Sequence, residues 1–93
     1  MWEVVQHKQL SKRLRRLPQP VLDRYSKWVD VVRVSGPEGL RLLPGLNDEA
    51  LRGEWRGFRS SRLGLQCRVI YKVVRDKVQV QFIDLTAHDY RKK

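Results

Sequence analysis

The spacing of the apolar side chains changes near the middle of this sequence, and that change restricts the folds it can adopt. In the first half, three leucines recur at the spacing of one helical face: Leu10, Leu14 and Leu17. Pro18 ends this helix, and Pro20 suits the first turn of a second one. In the second half, the run KVQVQFIDL at residues 77–85 alternates apolar and polar side chains, which is typical of a strand. The pattern predicts two helices followed by a β-sheet.

The order of the predicted elements indicates the fold class. The β-prone run WEVV at residues 2–5 precedes the helices, and three strand-like runs follow them: EWRGFRSSRL, QCRVIYKVV and KVQVQFIDL. Arg75 and Asp76 fit a tight hairpin between the last two runs. The sequence predicts an α+β domain of order β-α-α-β-β-β, an antiparallel twisted sheet with a two-helix hairpin packed on one face. At 93 residues, we expect a single domain that spans positions 1–93.

The net charge indicates what kind of partner the chain has. The sequence holds 20 lysines and arginines against 10 acids, a formal charge of +10. A small domain this basic repels itself, and a polyanion that binds it offsets the repulsion. An anionic membrane surface is the second candidate, but no apolar run approaches the length that spans a bilayer. We therefore expect a nucleic-acid partner and no membrane.

The cysteine and histidine content bears on compartment and metals. One cysteine, Cys67, excludes an internal disulfide, and two separated histidines argue against a structural zinc site. Met1 precedes a mixed, charged segment rather than a signal peptide, which predicts a cytoplasmic protein. We expect a cytoplasmic domain with no metal and no cofactor.

Basic residues concentrate in the predicted sheet. Between Ala50 and Arg75 the only acid is Glu54, while the basic residues number seven: Arg52, Arg56, Arg59, Arg62, Arg68, Lys72 and Arg75. Arginine is preferred where phosphates are bound, because its planar guanidinium group donates two hydrogen bonds at once. A solvated sheet face is the plainer explanation, but three aromatic residues that bases can stack on are interleaved with these arginines: Trp55, Phe58 and Tyr71.

Strand alternation predicts where this charge lies. Arg56 and Arg62 fall on one face of their strand, and Arg68 and Lys72 fall on one face of the next. If the two faces coincide, the sheet presents a basic surface opposite the helices. The predicted RNA-binding residues are Arg52, Arg56, Arg59, Lys72 and Lys92.

Three segments resemble a known family. Residues 51–59 read L-x-G-x-W-x-G-x-R, residues 68–71 read R-V-I-Y, and the chain closes on H-x-Y at His88 and Tyr90. These segments are similar to the RelE/ParE superfamily of bacterial toxins, and most similar to its YafQ- and YoeB-type messenger-RNA interferases. The helical half matches by pattern alone.

The resemblance implies the toxin of a type II toxin–antitoxin system. Such toxins are ribosome-dependent endoribonucleases that enter the ribosomal A site and cut the messenger there. An antitoxin, usually acidic in its toxin-binding segment, wraps the toxin and silences it. The implied partners are therefore a cognate antitoxin, the ribosome and mRNA.

The resemblance also implies roles for individual residues. RNA cleavage without a metal needs a base for the 2′-OH, positive charge on the phosphorane and an acid for the 5′-oxygen. His88 matches the terminal histidine of these enzymes and is assigned the acid, while Glu49 is the candidate base, with Asp48 as its adjacent rival. Arg68 matches the arginine that contacts the scissile phosphate. Arg62 could hold that phosphate beside it, and Tyr90 resembles a terminal tyrosine that orients or stacks on substrate.

Two other functions remain open at this stage. Gln66 stands where YafQ-type toxins carry an aspartate, and the paired lysines of RelE are missing, so neither of these two catalytic sets is reproduced. A ParE-like inhibitor of DNA gyrase shares the fold without cleaving RNA, and a plain basic RNA- or ribosome-binding module needs no catalytic group. The combination of Glu49, Arg68, His88 and Tyr90 favours the nuclease, since neither alternative needs that set.

Overall fold

The structure, a computed structural model, describes residues 2–64 and 66–85, apart from the side chains of Phe82, Asp84 and Leu85. It contains two helices and a five-stranded sheet. The helices are α1 (Lys8–Leu14) and α2 (Gln19–Ser35). The strands are β1 (Glu3–Gln6), β2 (Glu49–Ala50), β3 (Arg59–Gly64), β4 (Cys67–Val74) and β5 (Lys77–Leu85). The predicted α+β class and the order of its elements are confirmed, with the short strand β2 as an addition.

The sheet has the order β1-β5-β4-β3-β2. Strands β2 to β5 pair antiparallel with their neighbours, while β1 pairs parallel with β5, with Val4 opposite Val78. The prediction of an antiparallel sheet is therefore right for the last four strands and wrong for β1. The reason is the connection: the chain crosses over through both helices after β1, and such a crossover permits parallel pairing, whereas a tight turn does not.

The strand predicted at residues 54–63 begins only at Arg59. Gly53–Trp55 is a 3₁₀ turn instead, and Gly53 and Gly57 have φ angles of 66° and 93°, which a strand does not contain. Arg56 lies in this turn, so its predicted place on the same strand face as Arg62 is wrong. The hairpin at Arg75 and Asp76 is present, with Arg75 in the left-handed region at φ 58°.

The helices cover one face of the sheet. Helix α2 buries Tyr25, Trp28 and Val32, which recur at helical spacing. The Trp28 ring stacks on Tyr25 at 5.8 Å and meets the edge of Tyr71 on β4 at 5.3 Å. The remaining core residues of the sheet face the same way: Leu63, Cys67, Val69, Val78, Val80 and Ile83. None of the helices in the described ranges is both long and apolar enough to cross a bilayer.

Helix α1 is shorter than the leucine pattern predicts. It ends at Leu14, and Leu17 is buried in the turn that follows, just before Pro18. Leu10 and Leu17 still belong to the same core, so the apolar stripe continues although the helix does not.

Candidate active site

The face of the sheet opposite the helices carries the predicted basic residues of β3 and β4. Val69 and Tyr71 point into the core, so alternation directs Arg68 and Lys72 to the other side. Arg62 on β3 is paired directly with Arg68, and both side chains are exposed. The structure thus brings Arg62, Arg68 and Lys72 to one face, as strand alternation predicted.

Glu49 lies at the edge of the same face. It belongs to the two-residue strand β2, where it is exposed and paired with Ser60. Because Ser60 and Arg62 are two residues apart on β3, Glu49 and Arg62 are diagonal neighbours, with Cα atoms roughly 7–8 Å apart. Long side chains span that distance. A carboxylate and two guanidinium groups therefore share one exposed patch of sheet.

Asp48, the rival candidate base, has a different role. Its side chain is fully buried, and its Oδ1 accepts a hydrogen bond from Arg59 Nε at 2.8 Å and forms an ion pair with Arg59 Nη2 at 2.8 Å. Its Oδ2 accepts hydrogen bonds from Ser61 Oγ and Tyr71 Oη, each at 2.5 Å. Asp48 is closed to solvent and holds the segment before β2 against β3 and β4.

The electrostatics of this network keep its members in fixed ionisation states. Burial, with the adjacent Asp48 carboxylate, raises the pKa of Tyr71 well above its usual value. Burial acts to lower the pKa of Arg59, but the hydrogen bond and the charge of Asp48 outweigh it and raise that pKa. Tyr71 therefore remains a neutral hydrogen-bond donor and Arg59 a cation.

Arg59 does not lie on the predicted RNA-binding face. Alternation along β3 separates it from Arg62, and its side chain is only 21% exposed and paired with Asp48. Its register partner is Tyr71, a core residue. We leave it out of the RNA-binding surface, because a guanidinium group in a buried ion pair is not available to a phosphate.

A second group of residues extends the basic face beyond the sheet. Trp55 and Phe58 meet edge to face at 5.2 Å, and Lys72 Nζ lies 5.4 Å from the centre of the Phe58 ring. Arg52 and Arg56 are exposed in the same turn segment. The Trp55 side chain is 38% exposed, which leaves part of an aromatic surface beside these cations.

The remaining predicted site residues lie outside the described residues. These are His88, Tyr90 and Lys92. The last described strand, β5, ends at Leu85, which is paired with Cys67, and Asp84 stands opposite Arg68 in the register. Strand β5 thus ends beside the Arg68 end of β4.

Sequence reasoning missed the structural role of Asp48. The sequence contains a signal for this role. Arg59 and Ser61 alternate with outward-facing residues on β3, so two polar side chains lie on the core face. Two donors on a core face call for a buried acceptor. Over residues 2–64 and 66–85, no three histidine, cysteine or acidic side chains are grouped so that they could hold a metal ion.

The fold is shared with solved bacterial and archaeal toxins. No protein-family model and no curated protein sequence matches the chain. YafQ from E. coli strain BL21(DE3) matches with a TM-score of 0.65 at 18% identity, over 97% of this chain and 99% of that one. A chain of the YoeB–YefM complex from Staphylococcus aureus matches with a TM-score of 0.70 at 13% identity, over 90% and 95%. A chain of the archaeal RelE–RelB complex from Pyrococcus horikoshii OT3 matches with a TM-score of 0.67 at 23% identity, over 92% of this chain and 96% of that one.

These matches cover nearly the whole length of both chains. At these identities they establish architecture, and the predicted resemblance to RelE, YafQ and YoeB toxins is confirmed at that level. The chain has the RelE-like fold.

Proposed function

We propose that the chain is the toxin of a type II toxin–antitoxin system and acts as a ribosome-dependent endoribonuclease on mRNA. The observation that carries this proposal is the patch formed by Glu49, Arg62 and Arg68 on the exposed face of the sheet. A binding protein needs the arginines but has no use for a carboxylate beside them, because it repels phosphate. A nuclease needs both, since a base must approach the 2′-OH next to the scissile phosphate.

The patch supports cleavage by attack of the ribose 2′-oxygen on the adjacent phosphorus. Glu49 accepts the proton of the 2′-OH as the new P–O bond forms. Arg62 and Arg68 donate hydrogen bonds to the non-bridging oxygens, on which negative charge builds up in the phosphorane. The P–O5′ bond then breaks, and the 5′-oxygen takes a proton from an acid. The products are a 2′,3′-cyclic phosphate and a 5′-hydroxyl group.

His88 is our proposed acid. Histidine is the side chain best suited to give and take a proton near neutrality. His88 is three positions after Leu85 in the sequence, so the covalent chain keeps their Cα atoms within about 11 Å of each other. Leu85 is paired with Cys67, next to Arg68, and this pairing supports His88 as the acid of the same site. Tyr90 is proposed to orient or stack on the substrate.

The RNA strand is proposed to run from the Arg62–Arg68 pair toward the Trp55–Phe58 turn. Arg52, Arg56 and Lys72 provide positive charge along this path, and Lys92 is proposed to bind the same RNA. Trp55 offers a ring on which a base can stack. The proposed site of action is the ribosomal A site in the cytoplasm, and the proposed controlling partner is a cognate antitoxin. YoeB and RelE, which have the same fold, are found in complexes with YefM and RelB.

Expression of the chain alone in cells, followed by mapping of messenger 5′ ends, tests the proposal. We expect cuts positioned by codon, absent in Glu49→Gln and His88→Ala cells that contain the same amount of protein. Intact messages with DNA damage would instead favour the ParE-like function as a gyrase inhibitor. Intact messages with normal growth would leave the basic binding module.

A further inference from the structure

A groove lies on the helix side of the sheet, and neither Glu49 nor Arg68 lines it. It has a volume of about 530 Å³ and opens between α2, the 3₁₀ turn Pro44–Leu46 and the end of β3. Sites that bind small molecules in proteins usually have volumes of about 300–1,000 Å³. The groove is therefore large enough to hold a small ligand of its own.

One face of α2 forms a wall of the groove. The residues of this wall recur at helical spacing, so they lie on one side of the helix: Arg24, Lys27, Trp28 and Val31. The two cations come first along the helix and Val31 comes last. From Arg24 to Val31 the helix rises about 10 Å, at about 1.5 Å per residue. The wall is therefore charged at one end and apolar at the other.

The 3₁₀ turn beside α2 adds apolar surface to the groove. Leu43 and Leu46 both line it. Leu43 is 43% exposed, and Leu46 is partly buried. A ligand that covers these side chains with apolar atoms removes apolar surface from water, which favours binding. The ligand therefore needs an apolar body as well as a group that suits the charged end.

The charged end of the groove is positive. Arg24 and Lys27 are exposed, and none of the described residues that line the groove is acidic. Arg24 Nη1 donates a hydrogen bond to the Leu63 carbonyl at 3.3 Å, which holds the guanidinium group beside the end of β3. A guanidinium group has five N–H donors, so this bond uses only a part of its capacity. An anionic group bound here is stabilised by both charges.

Trp28 adds an unsatisfied hydrogen-bond donor to this wall. It is 1% exposed, and within the described part of the chain its Nε1 has no hydrogen-bond partner. A buried donor without an acceptor destabilises the fold. Trp28 follows Lys27 directly and lies one helical turn after Arg24, so an anion held by these cations is next to the indole ring. A carboxylate has two oxygens, enough for a cation and for the indole N–H.

We propose that this groove binds a small organic carboxylate with an apolar body of about six to ten carbon atoms, a size that matches the length of the wall. Its carboxylate pairs with Arg24 and Lys27, and one of its oxygens accepts a hydrogen bond from the Trp28 indole. Its apolar body packs against Leu43 and Leu46. A phosphate ester of similar size is the poorer ligand, because it carries more charge into a groove that is largely apolar.

Indole N–H signals in a two-dimensional proton–nitrogen NMR spectrum test the groove directly. The protein has three tryptophans, so Trp2→Phe and Trp55→Phe identify the Trp28 peak by elimination. The probe is 4-phenylbutanoate. We expect it to move the Trp28 peak saturably, with a Kd of about 0.05–5 mM, and to leave the Trp2 peak in place.

Two analogues of the probe test the two parts of the ligand separately. The neutral amide 4-phenylbutanamide keeps the shape without the charge and should bind at least about threefold more weakly. Butanoate keeps the charge without the ring and should bind at least about tenfold more weakly. Equal affinity of either analogue for the protein would overturn the proposal.

Two pairs of variants separate the groove from general charge and stickiness. Lys27→Gln should weaken binding of 4-phenylbutanoate by about two- to fivefold, whereas Lys12→Gln, with the same charge change on α1, should change it less than about 1.5-fold. Leu43→Ser should weaken binding comparably, and Leu42→Ser, at a position 80% exposed and outside the groove, should not. All four positions are exposed, so these variants should fold. Equal effects within either pair would contradict the assigned site.

Three other occupants give distinct results. A Trp28 shift that grows with protein concentration alone would give the groove to a second copy of the chain. Competitive displacement of 4-phenylbutanoate by an RNA oligonucleotide would give it to nucleic acid, and equal affinity for inorganic phosphate would make it a site for simple anions. Each of these results would overturn the proposal. Binding of the carboxylate needs no cleavage of RNA, so failure of the groove and failure of the proposed function are measured separately.

Discussion

Arg62 and Arg68 lie directly opposite each other on neighbouring antiparallel strands, so two guanidinium groups project from one exposed patch. Like charges in this relationship destabilise a sheet by a few tenths of a kcal/mol to about 1 kcal/mol. An anion bound between the two groups reverses the effect. The pair is therefore suited to hold a phosphate between its two guanidinium groups.

Replacing one arginine tests the contribution of the pair to RNA binding separately from its effect on stability. Arg62→Gln should change the free energy of unfolding by less than about 0.5 kcal/mol, because Arg62 is exposed. The same variant should weaken RNA binding and reduce the slope of log affinity against log salt by about one. Urea denaturation and binding titrations at several salt concentrations measure both. Arg33→Gln, an exposed arginine on α2, is the charge-matched control and should keep the wild-type slope.

The adjacent acids Asp48 and Glu49 should respond differently to truncation. Asp48→Ala leaves Arg59, Ser61 and Tyr71 without their common acceptor and should lower the free energy of unfolding by about 2–4 kcal/mol. Tyr71→Phe removes one of the three donors and should cost about 1–2 kcal/mol. Glu49→Ala, at an exposed position, should stay within about 0.5 kcal/mol of wild type. Urea denaturation distinguishes them, and similar losses for both acids would refute the assignment of Asp48 as the structural one.

Tyr25 should make the fold sensitive to alkali. Burial raises its pKa to about 12, although the charge of Arg33 acts to lower it, and its hydroxyl donates to Gln6 Oε1 at 2.6 Å. The neutral phenol is favoured in the fold, so this contribution is complete below about pH 10 and is lost as pH rises toward 12. In this interval the free energy of unfolding of the wild type should fall faster than that of Tyr25→Phe, by up to about 1.4 kcal/mol per pH unit. If the free energies of unfolding of the two proteins change with pH in parallel, the contribution assigned to Tyr25 is contradicted.

Gly36 ends α2 in a conformation that other residues avoid. Its φ and ψ are 76° and 176°, and a Cβ atom there would lie 2.5 Å from Trp2 Nε1. Gly36→Ala should therefore cost about 2–4 kcal/mol, from backbone strain and displacement of the indole. Gly45→Ala is the matched control, since a Cβ at Gly45 meets no atom within 4 Å. Thermal unfolding of the two variants measures the difference.

Local patterns predicted most of the fold but little of the hydrogen bonding. Helical spacing located α2, and alternation placed Arg68 and Lys72 on one face, because both signals lie within a few residues of sequence. The parallel pairing of β1 with β5 depends on where the crossover connection returns to the sheet, and no short stretch of sequence contains that information. Alternation separates Arg59 from Arg62, and only composition places Arg59 among the predicted RNA-binding residues. Asp48 and Glu49 are equivalent as sequence, and only the positions of three distant donors decide which of them is buried.

Cleavage of a messenger on programmed bacterial ribosomes by the purified chain tests the central claim most directly. The account predicts a 2′,3′-cyclic phosphate at the new 3′ end. It also predicts rates about 10²–10³ lower for Arg68→Gln and Glu49→Gln, because each removes a group that acts on the reacting phosphate or its nucleophile. Both positions are exposed, so unfolding curves close to wild type should accompany the loss. An uncut messenger with the wild-type chain, or undiminished cleavage by Arg68→Gln, would contradict the account.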